Sequence, residues 1–225
     1  MKTLLIASLL VLGGCASPQV VNYTLTPATD PLTNANVSST SSVKATNSGR
    51  IVPYKLERVS VPAQSDDLSL VVRDGNDRLM VLTYDRWTVS LSDEFTEALA
   101  LALTDEIGIP PTQVWSSIAT KLPHNEIQVD VRRFEMLPGQ SANLSASWYI
   151  KFSRAARGQS KTSPNVTTET SLVMTELACY ASFSHVAPPG VLPLVQAQQK
   201  NIRQLSQKIA QTLKTGQGVE GVVCQ

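Results

Sequence analysis

The run from Arg78 to Leu103, Arg-Leu-Met-Val-Leu-Thr-Tyr-Asp-Arg-Trp-Thr-Val-Ser-Leu-Ser-Asp-Glu-Phe-Thr-Glu-Ala-Leu-Ala-Leu-Ala-Leu, changes periodicity partway along and so requires a strand, a turn and a helix in that order. Leu79, Val81 and Thr83 alternate with Arg78, Met80 and Leu82 as in a mostly buried strand, and the charged Asp85 and Arg86 end it, leaving Trp87 in a turn. Ser90 and Asp93 form a Ser-x-x-Asp capping pattern, Ser92 is a second candidate cap, and Asp93, Glu94 and Glu97 lie near the positive end of the helix dipole. The helix is therefore predicted from about Ser92. Phe95, Ala98, Leu99, Ala102, Leu103 and Ile107 recur at steps of three and four, and Gly108, Pro110 and Pro111 stop the helix. One helical face must pack on a sheet.

A strand, a Trp two residues after Asp85, then Leu91 and a helix rich in Leu and Ala resemble the ABC-type transport auxiliary lipoprotein family, in particular the membrane-integrity-associated subunits of the PqiC type. Those proteins usually read Trp-x-x-Pro-Leu, whereas Ser90 stands in the Pro position here. Leu56, Val59, Val61 and Pro62 are similar to the family's Leu-x-x-Val-x-Val-Pro, and Leu205 to Leu213 to its C-terminal Leu-x-x-x-Ile-Ala helix. The aromatic-Leu pair that follows the family's Pro is replaced by the longer polar run Ala63 to Leu68.

The start of the chain reads as an address. Lys2, the apolar run Leu4 to Leu12, and Leu12-Gly13-Gly14-Cys15 form a bacterial lipoprotein signal. A retained membrane helix is the competing reading, but the apolar run falls short of the ~20 residues that a ~30 Å hydrocarbon core requires. Residues 1–14 are the expected leader, and the mature chain begins at Cys15 with acyl chains on its sulfur and amino group. Several acyl chains together anchor a protein stably. Ala16 rather than Asp follows the Cys, which by the resemblance implies sorting to the outer membrane.

Residues 15–50 are expected to be the lipidated N-terminus and a tether. Pro18 to Arg50 is dominated by Ser, Thr, Asn, Pro and Ala and has little apolar surface to bury. About 30 flexible residues have an r.m.s. span of roughly 30 Å, enough to hold the body well clear of the membrane. Val20 to Leu25 is the exception: it resembles the Tyr-x-Leu segment that opens the family domain, a candidate docked edge strand.

Residues 51–225 read as one domain, α+β, with a largely antiparallel sheet packed by two main helices. Strands are expected around Leu56 to Val61, Leu68 to Val72, Leu79, Gln113 to Trp115, Glu126 to Phe134, Leu144 to Phe152 and Val166 to Ala178, with Leu172 and Met174 on one face of the last. At Arg132-Arg133-Phe134 either a bulge turns Phe134 inward or Arg133 points inward. A closing helix carries Val195, Ile202, Leu205, Ile209 and Leu213 on one stripe and ends at Gly216.

With Cys15 lipidated, Cys179 and Cys224 remain, and an oxidising compartment favours bridging them over two separate thiols. Gly216-Gln217-Gly218-Val219-Glu220-Gly221 fits G-x-G-x-x-G but follows a helix, so it reads as a flexible tail. His124 and His185 are the two histidines, without metal-ligand spacing, and are expected in solvated loops. No Ser nucleophile pattern occurs, and Asp66-Asp67 and Asp93-Glu94 read as a turn and a first helical turn rather than a catalytic pair. Catalytic residues, metal and cofactor are therefore not expected. The formal net charge is +1, so nucleic acid is not indicated either, despite the basic Arg154 to Lys161 segment. Trp148 alternates with the core face; Trp87 is either a packing plug or a partner contact.

The resemblance implies a non-catalytic lipoprotein at the periplasmic face of the outer membrane, partnered by an MCE-type (mammalian cell entry) transporter protein in intermembrane lipid transport and working as a homo-oligomer. A lipid- or lipoprotein-binding carrier and a periplasmic enzyme are the competing readings.

Overall fold

Ser90 caps a helix over Leu91–Ile107 (α1): its side chain accepts from the Asp93 N–H, and Gly108, at φ 88°, closes the other end with its N–H on the Thr104 carbonyl. Leu91, Phe95, Ala98, Leu99 and Leu103 are all buried, so the predicted stripe is the face that packs. The computed structural model describes residues 18–28, 52–112, 124–153 and 176–225. The leader and Cys15, the Gln113–Trp115 strand, the Arg154–Lys161 segment, and Leu172 and Met174 lie outside those residues.

The strands are Val21–Tyr23 (β1), Tyr54–Leu56 (β2), Ser69–Arg73 (β3), Leu79–Trp87 (β4), Asn125–Leu137 (β5), Ser141–Lys151 (β6), Glu176–Val186 (β7) and Val223–Cys224 (β8). A second helix, Val191–Thr215 (α2), lies between β7 and β8. They form a five-stranded sheet in the order β2-β5-β6-β7-β8 and a three-stranded sheet in the order β1-β4-β3. Only β2 on β5 and β1 on β4 pair in parallel, so the domain is α+β with mostly antiparallel pairing.

Alternation places Ile127, Val129, Val131, Leu144, Ala146, Trp148, Ile150, Leu177, Cys179 and Ala181 on the buried face of the large sheet. The register shifts between Val131 and Arg133, so the bulge is present; Phe134 turns inward and Arg133 stays outside. Helix α2 covers this face, lying on β6 and β7, and α1 packs against α2. Phe134 then meets Trp87 and Phe95 edge-on, each at a centroid distance of 6.3 Å, and joins the small sheet to the large one. Helix α2 starts earlier than its stripe suggested, because Pro193 sits in the first turn, where a missing N–H has no helical partner to lose.

Five expectations are corrected. Strand β4 runs through Asp85 and Arg86 to Trp87, and its leading residues are not buried: Leu79, Met80 and Val81 are exposed, while the paired strand β3 buries Leu70 and Val72 against the body. Residues 166–175 of the expected last strand lie outside the described residues; the last long strand, Glu176–Val186, runs past the expected end at Ala178, where small inward residues, Cys179 and Ala181, give weak alternation. That places His185 on a strand rather than in a solvated loop; it is half-buried, and its Nε2 is shielded from solvent. The glycine-rich tail is not loose but turns back, so that β8 pairs with β7 and Lys208 Nζ donates to the Glu220 carbonyl.

The fifth concerns the boundary at residue 51. Strand β1 is docked as the family segment suggested, and Leu25 is buried, so the folded body takes in chain well before residue 51. Only residues 16–20 separate Cys15 from Val21, a reach of at most about 20 Å. The Ser/Thr-rich run joins β1 to β2 and does not carry the whole body away from the N-terminus.

Candidate functional site

Glu94 is the side chain that holds the N-terminal segment. It lies in the first turn of α1 yet is only 3% exposed. One carboxylate oxygen accepts from Thr24 Oγ1 (2.8 Å) and from the Leu25 backbone N–H (2.9 Å), and the other accepts from Thr88 Oγ1. Carboxylate-accepted hydrogen bonds are the stronger kind, and the helix N-terminus adds a favourable field. Around it, the Thr88 N–H donates to the Tyr23 carbonyl, the Tyr23 hydroxyl donates to Asp85 Oδ1 at 2.9 Å, and Gln199 Nε2 of α2 donates to the Thr24 carbonyl. Burial, with Asp85 adding to it, pushes the Tyr23 phenol above its ordinary pKa. The chain therefore enters the body at a fixed place.

The same helix end is tied to the polar loop after Pro62. Asp66 accepts from the Ser92 N–H at 3.0 Å, and Arg58 reaches Asp93 at 2.9 Å and Ser92 Oγ at 2.8 Å. The Ser90 hydroxyl, with help from Arg58, holds the Asp93 carboxyl below the usual carboxylate range. Asp93 and Glu94 thus serve two structural roles and do not converge on a shared cleft.

Trp87 is 2% exposed, packed on Phe134 at the inner end of β4. The partner-contact reading of Trp87 is corrected to packing: strand rather than turn geometry points its ring inward. Trp148 is buried in the core, and its Nε1 donates to Thr212 Oγ1 of α2 at 3.2 Å.

Cys179 and Cys224 stand directly opposite one another across β7 and β8, with their sulfurs 2.05 Å apart. The Gln225 and Ala178 main chains exchange two further hydrogen bonds, so the C-terminus is bound along the sheet edge.

Among the described residues no helix covers the outer face of the large sheet. It presents Gln128, Ser147, Tyr149, Ser145, Tyr180 and Ser182 along adjacent strands. The Tyr180 and Ser182 hydroxyls lie 2.8 Å apart, and Ser182 and Ser145 2.9 Å apart. The Ser145 and then Ser182 hydroxyls hold the Tyr180 phenol below its ordinary pKa, with a lesser contribution from Arg133. A depression of about 620 Å³, open to solvent, lies on this face between Arg58, Asp130, Arg132, Tyr149, Tyr180 and Val223. Exposed Tyr and Arg over a small polar background is the composition of protein interfaces. Alternation alone puts Gln128, Ser145, Ser147 and Tyr149 on outward positions, while Tyr180 and Ser182 lie beyond the expected end of the last strand; the sheet order brings all six onto one surface.

Among the described residues no three His, Cys, Asp or Glu side chains gather as a metal site, and no helix is long and apolar enough to cross a membrane.

No functionally curated protein matches the chain. One solved structure, of an uncharacterized protein, is similar at a TM-score of 0.57 and 14% identity, covering 87% of this chain and 99% of its own. A DUF330-family protein from Xanthomonas campestris is similar at a TM-score of 0.52 and 17% identity, covering 73% and 85%. Both likenesses concern the fold. The family described as the ABC-type transport auxiliary lipoprotein component matches residues 31–210, which span the docked helix α1, the bare sheet face and most of α2, and the chain belongs to that family.

Proposed function

We propose that this chain is an outer-membrane lipoprotein facing the periplasm, acylated on Cys15, that serves without catalysis as a docking subunit of an MCE-type intermembrane lipid transport system, assembled as a homo-oligomer. Family membership implies a transporter partner and a membrane anchor in general. The observation that carries the finer reading is the division of the large sheet into one face covered by α2 and one face, bearing Tyr149, Tyr180 and Arg132, that no described helix covers. A docking subunit needs such a face, whereas a carrier needs an enclosed apolar cavity; the depression on this face is open and partly polar. The disulfide between Cys179 and Cys224 braces the edge of that face and suits an oxidising periplasm.

The test is affinity purification of the tagged protein from its native envelope, with mass spectrometry of proteins and lipids. Near-stoichiometric recovery of an MCE-domain protein, lost in Tyr180→Asp, supports the docking role. Recovery of phospholipid without a protein partner overturns it in favour of a carrier.

A further inference from the structure

The leading residues of β4 are exposed on both faces as far as Val81, and only Leu82 then packs against the core. Leu79 is 47% exposed, Met80 43%, Val81 64% and Tyr84 46%, although a sheet strand ordinarily hides one side. On the edge facing β1, pairing reaches only Asp85, Arg86 and Trp87. Strand β1 runs parallel to β4 with Val21 opposite Asp85, so the chain before Val21 comes from the hairpin's side of the body. Cys15 precedes Val21 by six residues, and Leu79 precedes Asp85 by six. Six extended residues span about 20 Å in either case, so an anchor on Cys15 reaches the level of Leu79. Val20 is itself 49% exposed and apolar. The hairpin tip does not repel a lipid surface by charge, because Asp74 pairs with Arg78 at 2.7 Å and Asp77 with Arg73 at 3.8 Å.

We propose that Val20 and the β4 residues Leu79, Met80, Val81 and Tyr84 form a membrane-contact surface that rests in the headgroup region of the bilayer holding the anchor. Apolar side chains with a Tyr among them suit that depth, and the acyl chains supply the attachment that a patch this small would not. The inference rests on acylation of Cys15. It makes the lipoprotein a body seated on its membrane, with the bare face of the large sheet left for the partner.

The test uses the acylated full-length protein in vesicles of phosphatidylethanolamine and phosphatidylglycerol, carrying a nitroxide at Val81→Cys or, as a control, at Lys151→Cys at the far end of the large sheet. Mass spectrometry of the N-terminal peptide first establishes the acyl groups; their absence overturns both the lipoprotein reading and this inference. With acylation present, the label at position 81 is expected to lose at least fivefold of its accessibility to an aqueous nickel complex on passing from detergent to vesicles, while position 151 is unchanged. Equal aqueous access at both positions overturns the membrane contact alone and leaves the lipoprotein reading standing. Protection of position 81 already in detergent, with spin-spin broadening, assigns the surface to a second copy and also overturns it.

Discussion

Replacing Glu94 tests whether the N-terminal segment is part of the folded body. In Glu94→Ala the Leu25 N–H loses its acceptor at 2.9 Å in a buried place, and the Thr24 and Thr88 hydroxyls lose theirs. An orphaned buried donor costs about 1–3 kcal/mol, and each hydrogen bond to a charged group contributes about 1.5–3 kcal/mol. The chain has an escape: releasing residues 20–25 returns those groups to water at the cost of exposing the Leu25 side chain, about 1.5–3 kcal/mol, and of β1 pairing. The expected loss is therefore limited to about 2–4 kcal/mol, the lesser of the two routes. Glu94→Gln keeps one acceptor for Thr24 and Leu25, and the Thr88 hydroxyl can reverse to accept from its amide, so a loss of about 1 kcal/mol is expected. Urea denaturation gives the magnitude, and hydrogen exchange with limited proteolysis gives the place, with residues 20–25 opening first in the Ala variant. A Glu94→Ala protein within about 0.5 kcal/mol of the parent, with residues 20–25 still protected, would refute the reasoning, since surface substitutions alone fall in that range.

Reducing the bridge between Cys179 and Cys224, or replacing both with Ser, frees a 45-residue separation and is expected to lower stability by roughly 4 kcal/mol on chain-entropy grounds. Urea curves with and without reductant check it, and a change under about 1 kcal/mol would contradict it. Tyr54 is fully buried, with its phenol pushed up to about 12 by that burial. Its folded pKa exceeds the unfolded value of 10.0, so its contribution holds below pH 10 and is lost as the pH rises towards 12. Tyr54→Phe should flatten the alkaline stability profile, and ultraviolet titration should show a late-ionising tyrosine of the parent that is missing from the variant. Trp87→Ala is expected to cost about 3–5 kcal/mol and to lower partner recovery only in step with the folded fraction. Full stability with selective loss of the partner would restore a contact role for Trp87.

Periodicity carried the elements whose faces are chemically distinct. Leu144 to Ile150 alternate without interruption, and Ser90 to Gly108 hold both a cap and a stop, so α1 is legible almost to the residue and β6 in all but its first turn-side residues, Ser141 to Asn143. The bulge at Arg133 was legible as a choice, settled by the depth available for Phe134 beside Trp87. Long-range pairing was not. Nothing local tells that Glu94 accepts from residues about seventy positions earlier, because the same Glu in a first helical turn serves equally well in water. Composition misplaced the Ser/Thr-rich run as a tether to the body for a related reason: three residues of β1 outweigh it topologically and barely alter its composition. Small residues hid β7, since Cys179 and Ala181 mark an inward face as surely as Leu does but with less contrast.

The central claim is that the bare face of the large sheet receives the transporter. A photo-cross-linking residue placed at Tyr180, with Leu101 on α1 as an equally exposed control, tests it in living cells. The account predicts a cross-link from position 180 to an MCE-domain protein and none from position 101. Cross-links from 101 alone, or from neither site while the protein is folded and membrane-bound, would contradict it.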